Sequence, residues 1–345
     1  MKLIKKNSYP LEKCYAITSL SYEGRDHIVV AAEKIDRCLL FDLEGNLEST
    51  IWEKPGGTMS LVQVPLSNGV FLASQKMYSP NDSADAEIVL VAPDKTVGWS
   101  VRSLMKIPFV HRFDILQRGS KQYLLASTIK SGHQYKDDWS SPGQVIVFDL
   151  PGDTALWSNL EGTVIVEGLL KNHGYIRQQD AKGDYAVVSC ENGVFAIYPP
   201  LEGEREWTVE QLVSQPVSDI AFVDFDGDGE KEMLVLSPFH GDTISLFKKK
   251  DEVYEMEYKY PRPAEFAHAL WAGFLFGKPY AVVGHRKGES RDLLGICYEE
   301  GEYRVEVLAK DVGSTNVLRY TREGKECLVS TNREINEIAF YEFEA

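Results

Sequence analysis

Nine consecutive residues, Asp224-Phe225-Asp226-Gly227-Asp228-Gly229-Glu230-Lys231-Glu232, place carboxylates at positions 1, 3, 5 and 9 with glycine available for a tight bend. A hard cation takes roughly six to eight oxygens, and carboxylates at this spacing with a backbone carbonyl between them are what a calcium loop supplies. Asp224, Asp226, Asp228 and Glu232 are therefore expected to hold a structural calcium ion, the plain alternative being an acidic turn. A second set of candidates consists of imidazoles. Of the seven histidines, His111, His173 and His268 open short apolar runs, and His240 and His285 sit just past the ends of others. Neutral nitrogens converging from separate segments suit a divalent transition metal such as zinc or manganese, and a catalytic centre leaves one position open. Any one of these histidines alone reads more simply as a strand-end imidazole bonded to backbone; five on one rim do not.

Whether they share a rim depends on the elements that carry them. Helical periodicity is hard to find, whereas short alternating runs of Val, Ile, Tyr and Phe, punctuated by Gly, Asn and Asp, recur throughout. One unit repeats: a first strand, a turn, a second strand ending in a small residue, a third strand, a Gly or acidic turn, and a fourth strand. First strands start near Cys14, Thr58, His111, His173, Ser218, His268 and Asn316, and second strands end near Ala31, Ser74, Ser127, Ser189, Ser237, Gly284 and Ser330. Units of about 50 residues suit an all-β, seven-bladed β-propeller spanning 1–345 as a single domain. The seventh unit has room for three strands only, and the Lys2 to Lys6 run belongs to no first-unit pattern, so the N-terminal strand is expected to close the last blade. A β-sandwich pair or a β-solenoid is the competing architecture.

In such a blade the first strand lines the channel and the second returns antiparallel, so the start of the first and the end of the second lie on one face. That places His111, His173, His240, His268 and His285 on one rim, with His133 in the Lys130 to Gln144 loop of the same face. The segments after the second strands carry Lys34, Lys76, Lys130, Arg286, Lys287 and Arg333 against Glu33 and Glu191, a local +4 on a chain of −15. This contrast could focus an anionic or oxygen-rich small ligand, although lysines there could equally discourage edge pairing. The acidic loop falls on the opposite face.

The net charge argues against a nucleic-acid partner or an anionic lipid surface. No apolar stretch approaches the roughly 18 residues of a membrane span, and a cytoplasmic location is expected. The five cysteines, odd in number and without a C-x-x-C, read as reduced core thiols.

Asp224 to Glu232 resembles the loop of integrin-α and FG-GAP/VCBS-type propellers, without their Phe-Gly and Gly-Ala-Pro letters. Asn172-His173-Gly174-Tyr175, Ser237-Pro238-Phe239-His240-Gly241, Ala267-His268 and Gly284-His285-Arg286 resemble, in that order, the propeller domain of fungal aldos-2-ulose dehydratases and their bacterial relatives. The resemblance implies a seven-bladed propeller with a divalent metal in its channel that removes water from a keto-sugar; the chain has no room for the cupin domains of the fungal enzyme. Oligogalacturonate lyases, histidine-metal propellers that also catalyse elimination, are a looser analogy.

Two functions follow as expectations. In the first, the protein is a metal-dependent lyase or dehydratase acting on a small sugar-derived ligand. His173, His240 and His268 are then the metal ligands, His285 a base or acid, Arg286 the group that holds the developing oxyanion, and His111 a fourth ligand or second acid–base group. In the second, it is a non-catalytic propeller that binds a ligand or protein, for which Trp139 is the one obvious exposed aromatic.

Overall fold

The alternating runs form strands and little else. The structure, a computed structural model, describes residues 1–344 and contains 28 β-strands with two short 3-10 segments, Thr154–Asn159 and Arg333–Ile335. Five sheets have four strands each, and a sixth has eight. Cys14–Tyr22, Arg25–Ala32, Cys38–Phe41 and Leu47–Trp52 show the plan, each strand pairing antiparallel with the next. The eight-stranded sheet runs from Val110–Arg118 to Thr208–Val213, and its halves meet through a single pairing, Arg118 with Gly183. Second strands such as Lys121–Thr128 and Lys278–His285 are buried on both faces over most of their length. They are packed between neighbouring sheets, and so read as continuous apolar runs rather than as alternation.

The first strands contact one another in sequence. Cys14–Tyr22 touches Leu61–Gln63, which touches Val110–Arg118, and the series passes through Gly174–Asp180, Asp219–Val223 and Ala267–Leu275 to Asn316–Arg322, which returns to Cys14–Tyr22. They thus form a closed ring around an axis, the arrangement by which a propeller leaves only short sheet edges. The N-terminal strand Lys2–Pro10 pairs antiparallel with Glu337–Glu344, from Lys2 opposite Glu344 to Pro10 opposite Glu337, with one register shift between Lys5 and Asn7.

Two local features depart from the pattern. The strand expected near Thr58 begins at Leu61 and is three residues long, because the Ser74 hydroxyl accepts the Met59 and Ser60 amides at 2.8 and 3.2 Å and so interrupts the ladder. Register also shifts between Cys14 and Ala16, Val110 and Arg112, and Ala267 and Ala269. Tyr15, His111 and His268 are therefore the extra residues of β-bulges, a device that turns one side chain away from the plain alternation. All five cysteines are free, four of them buried. No helix among the described residues is long and apolar enough to cross a membrane.

Candidate functional site

The heads of two inner strands and the loop after the second strand Glu232–Ser237 bring three imidazoles together: one nitrogen from each of His173, His240 and His268 lies within 4.8 Å of the others. Backbone carbonyls from the next strand in the ring hold two of them. His173 Nδ1 lies 3.1 Å from the Ser218 carbonyl oxygen and His268 Nδ1 2.7 Å from that of Thr315. A carbonyl can only accept, so each Nδ1 carries the proton and each Nε2 presents a lone pair, as in a metal-binding histidine fixed from behind. His173 Nε2 is buried without any partner; His268 Nε2 accepts the Tyr15 hydroxyl at 2.9 Å. His240, at a φ of 50°, is stacked between Phe239 and Phe266 with centroid distances of 3.9 and 4.2 Å. His111 follows the same pattern, Nδ1 lying 3.2 Å from the His173 carbonyl and the two rings 4.6 Å apart.

These groups suit a borderline metal. Bonds of about 2.1 Å to one ion put nitrogens roughly 3.4 Å apart, so small ring rotations would close the set, with Tyr15 yielding its bond to His268. Burial, followed by Arg112 and Arg286, holds the His173 imidazole down at about 3. Burial likewise depresses His111, His240 and His268 well below the ordinary range, with the neighbouring imidazoles and arginines adding to it. All four are neutral at pH 7, the form that binds a metal.

The three ligand candidates, His111, Tyr15 and Arg286 line one cavity of about 230 Å3. Arg286 is aimed by Glu334, which accepts from Nε at 2.9 Å and Nη2 at 2.7 Å, and its guanidinium lies 4.4 Å from the Phe266 ring centroid. His285 departs from expectation. It lines a different cavity with Glu265 and Asp292, and both ring nitrogens are engaged by its own loop: Nδ1 donates to the Lys287 carbonyl at 3.2 Å and Nε2 accepts the Asp292 amide at 3.1 Å. His133 packs edge-on against Phe109. The rim is also less cationic than the sequence suggests. Lys76 pairs with Glu87, Arg333 with Glu33 and Glu334, and Lys130 is buried with Nζ 2.7 Å from the Asp138 carbonyl and 4.3 Å from the Trp139 ring. Trp139 itself is half-buried, edge-on to Phe239.

On the opposite face the acidic loop joins Asp219–Val223 to Glu232–Ser237. Asp224 accepts the amides of Gly227 and Gly229 at 2.7 and 2.9 Å, and Glu232 that of Phe225 at 2.6 Å. Carboxylate oxygens of Asp224, Asp226 and Glu232 lie within 4.8 Å of one another. The Lys248 ammonium reaches into this set, contacting Asp226, Asp228 at 2.7 Å and Glu232 at 3.6 Å. A calcium ion would have to displace it. If calcium binds as proposed, it should raise the melting temperature by mass action, Lys248→Met should enlarge that rise, and Asp226→Ala should abolish it. Calorimetry with and without calcium checks this, and an unchanged wild-type melt returns the loop to a lysine-neutralised turn.

The ring of inner strands and the imidazole cluster define a β-propeller with polar chemistry at one channel mouth. Comparison with solved structures agrees on the fold. The chain is similar to the β-propeller domain of Myceliophthora thermophila Cps50 (Swd1), at 12% identity and a TM-score of 0.62 over 98% of this chain and 99% of that one. It is also similar to a Bacteroides uniformis protein assigned as a 6-phosphogluconolactonase, at 15% identity and a TM-score of 0.58 over 89% and 88%. No protein-family model matches, and no curated protein matches.

Proposed function

We propose that the chain is a seven-bladed β-propeller closed by its N-terminal strand, with one zinc or manganese ion on His173, His240 and His268, and that it catalyses elimination of water from a small keto-sugar or uronate-like substrate. The observation that carries the reading is the convergence of three neutral imidazoles, two of them fixed from behind by carbonyls and one with a buried, partnerless Nε2. The blade count rests on the single pairing that joins the halves of the eight-stranded sheet and on the closed series of first strands. The cavity suits a ligand on the order of ten non-hydrogen atoms, at ~25 Å3 for each.

When bound, the ion would supply Lewis acidity to a carbonyl or carboxylate oxygen. The protein's own residues do the rest. Arg286, held by Glu334 and Phe266, meets negative charge that develops on the substrate oxygen. His111, whose Nδ1 is tied to the His173 carbonyl, keeps Nε2 free to take a proton, and the Tyr15 hydroxyl is placed to give one. Burial pushes the Tyr15 phenol up to about 12, so it keeps its proton at neutral pH and needs the developing charge on the leaving oxygen to draw it off. His285, with both nitrogens engaged, takes no part. A non-catalytic platform would call for an exposed aromatic: Trp139 is packed under two lysines, whereas Tyr135 of the same loop is exposed, so dependence on the metal is what separates the two readings.

The test is formation of an unsaturated product, followed by ultraviolet absorbance, from a panel of keto-sugars and uronates. Chelation should lower the rate more than tenfold, with zinc or manganese restoring it. Activity indifferent to the chelator, or no turnover of the panel by metal-loaded protein, would overturn the reading.

A further inference from the structure

Beyond the histidines the channel opens into a second chamber of about 290 Å3, bordered like the first by His268 and Met59. Its charged groups are of two kinds. Asp114 is fully engaged: it accepts the Ile115 amide at 2.8 Å and the Tyr175 hydroxyl at 3.2 Å, with Arg177 Nη1 3.5 Å away. Arg112 and Asp219 are not. Arg112 makes one hydrogen bond, from Nη1 to the Met59 carbonyl at 2.9 Å, and Asp219, 9% exposed, accepts the Ile220 amide at 2.9 Å and is approached by the Tyr175 amide, but meets no cation at ion-pair distance. Neither has an ion-pair partner among the described residues, although both line the same chamber. Burial raises Asp219 to about 6, with Arg112 the foremost influence pulling it down.

Opposite charges that share a low-dielectric chamber attract, and each is costly while unpaired. They are kept from pairing by the scaffold: Arg112 sits on Val110–Arg118, Asp219 on Asp219–Val223, and Gly174–Asp180 stands between those strands in the ring. The missing partner for both at once is a molecule that carries a carboxylate and a cation.

We propose that this second chamber binds a small zwitterion of the amino-acid class, its carboxylate on the guanidinium fork of Arg112 and its ammonium on Asp219. The chamber shares His268 as a border with the imidazole centre, but its reading does not rest on the elimination reaction. Arginine suits the first contact because its planar donors match a carboxylate bidentately. The volume is enough for a three- to four-carbon amino acid.

Thermal melts and calorimetric titration of the full chain with glycine, alanine and serine, alongside lactate and ethanolamine, test it. Saturating zwitterion should raise the melting temperature by about 1–3 °C, while lactate and ethanolamine, each with one of the two groups, should bind at least tenfold more weakly. Arg112→Gln and Asp219→Asn should each remove binding, and His240→Ala should leave it unchanged. Because Arg112 also caps the Met59 carbonyl, Arg112→Lys provides a second check: it keeps the charge without the fork and should weaken binding about tenfold. No response to any zwitterion, lactate binding as well as alanine, or binding retained by Asp219→Asn would overturn the proposal.

Discussion

Replacing His240 by alanine is expected to abolish zinc or manganese binding while leaving the fold and any calcium response intact. His240 is the most exposed of the three proposed ligands, and its ring makes no hydrogen bond, only stacking between Phe239 and Phe266. Its loss should therefore cost little packing. It would leave two imidazoles, and since even the groups behind metal ligands are worth ~10–100-fold in affinity, a ligand itself should be worth at least ~100-fold. Metal content after dialysis and calorimetric titration read the effect directly. His285→Ala is the matched control and should bind metal as the wild type does. Metal retained by His240→Ala, or metal lost in His285→Ala, would sink the assignment of His173, His240 and His268.

The rim of histidines was legible because strand starts and ends recur at the same points of each repeat, and a strand end is on one face or the other whatever its side chains do. Side-chain direction was not legible. Period-2 alternation assigns a residue to the channel or to the blade, but the bulges at Tyr15, His111 and His268 insert one residue each and break that count. Tyr15 occupies in the first unit the place of His111 and His268 in theirs, and the signal for it lay in position within the repeat rather than in residue type. Arg286 is aimed by Glu334, 48 residues away. Glu334 immediately follows Arg333, four residues past the second-strand end of the last unit, and nothing in its local sequence ties it to Arg286. His285 shows the converse: its position in the repeat is right, but the loop of residues 286–292 folds back and occupies both nitrogens. The second chamber rests on Arg112 and Asp219, the third and first residues of their strands, and nothing in either local sequence reveals that they face one space.

Deleting residues 1–10 should have the largest effect on stability. Lys2–Pro10 contributes eight register pairs to Glu337–Glu344, with a bulge near Lys6, and Lys5 is bonded to Glu337 at 2.8 Å. Tyr9 packs on Phe41 of the neighbouring sheet with centroids 5.4 Å apart, and Leu3 lies against the cluster around Phe343 and Leu328. Net hydrogen bonds at ~1 kcal/mol each and partial apolar cover at ~1–2 kcal/mol per side chain sum to roughly 5–10 kcal/mol, comparable with the whole stability of an ordinary domain. The deletion would also uncover Glu337–Glu344 as a sheet edge rich in aromatic residues, Phe340, Tyr341 and Phe343 among them, which invites pairing between chains. The shortened protein should therefore be recovered mainly as aggregate, or melt at least ~10 °C below the full chain. A synthetic peptide of residues 1–10, added during refolding at millimolar concentration, should restore soluble protein, because it can re-form the same ladder. A melt within a few degrees of the full chain would show that the ring holds without this strand, and the role given to the N-terminal segment would fail with it.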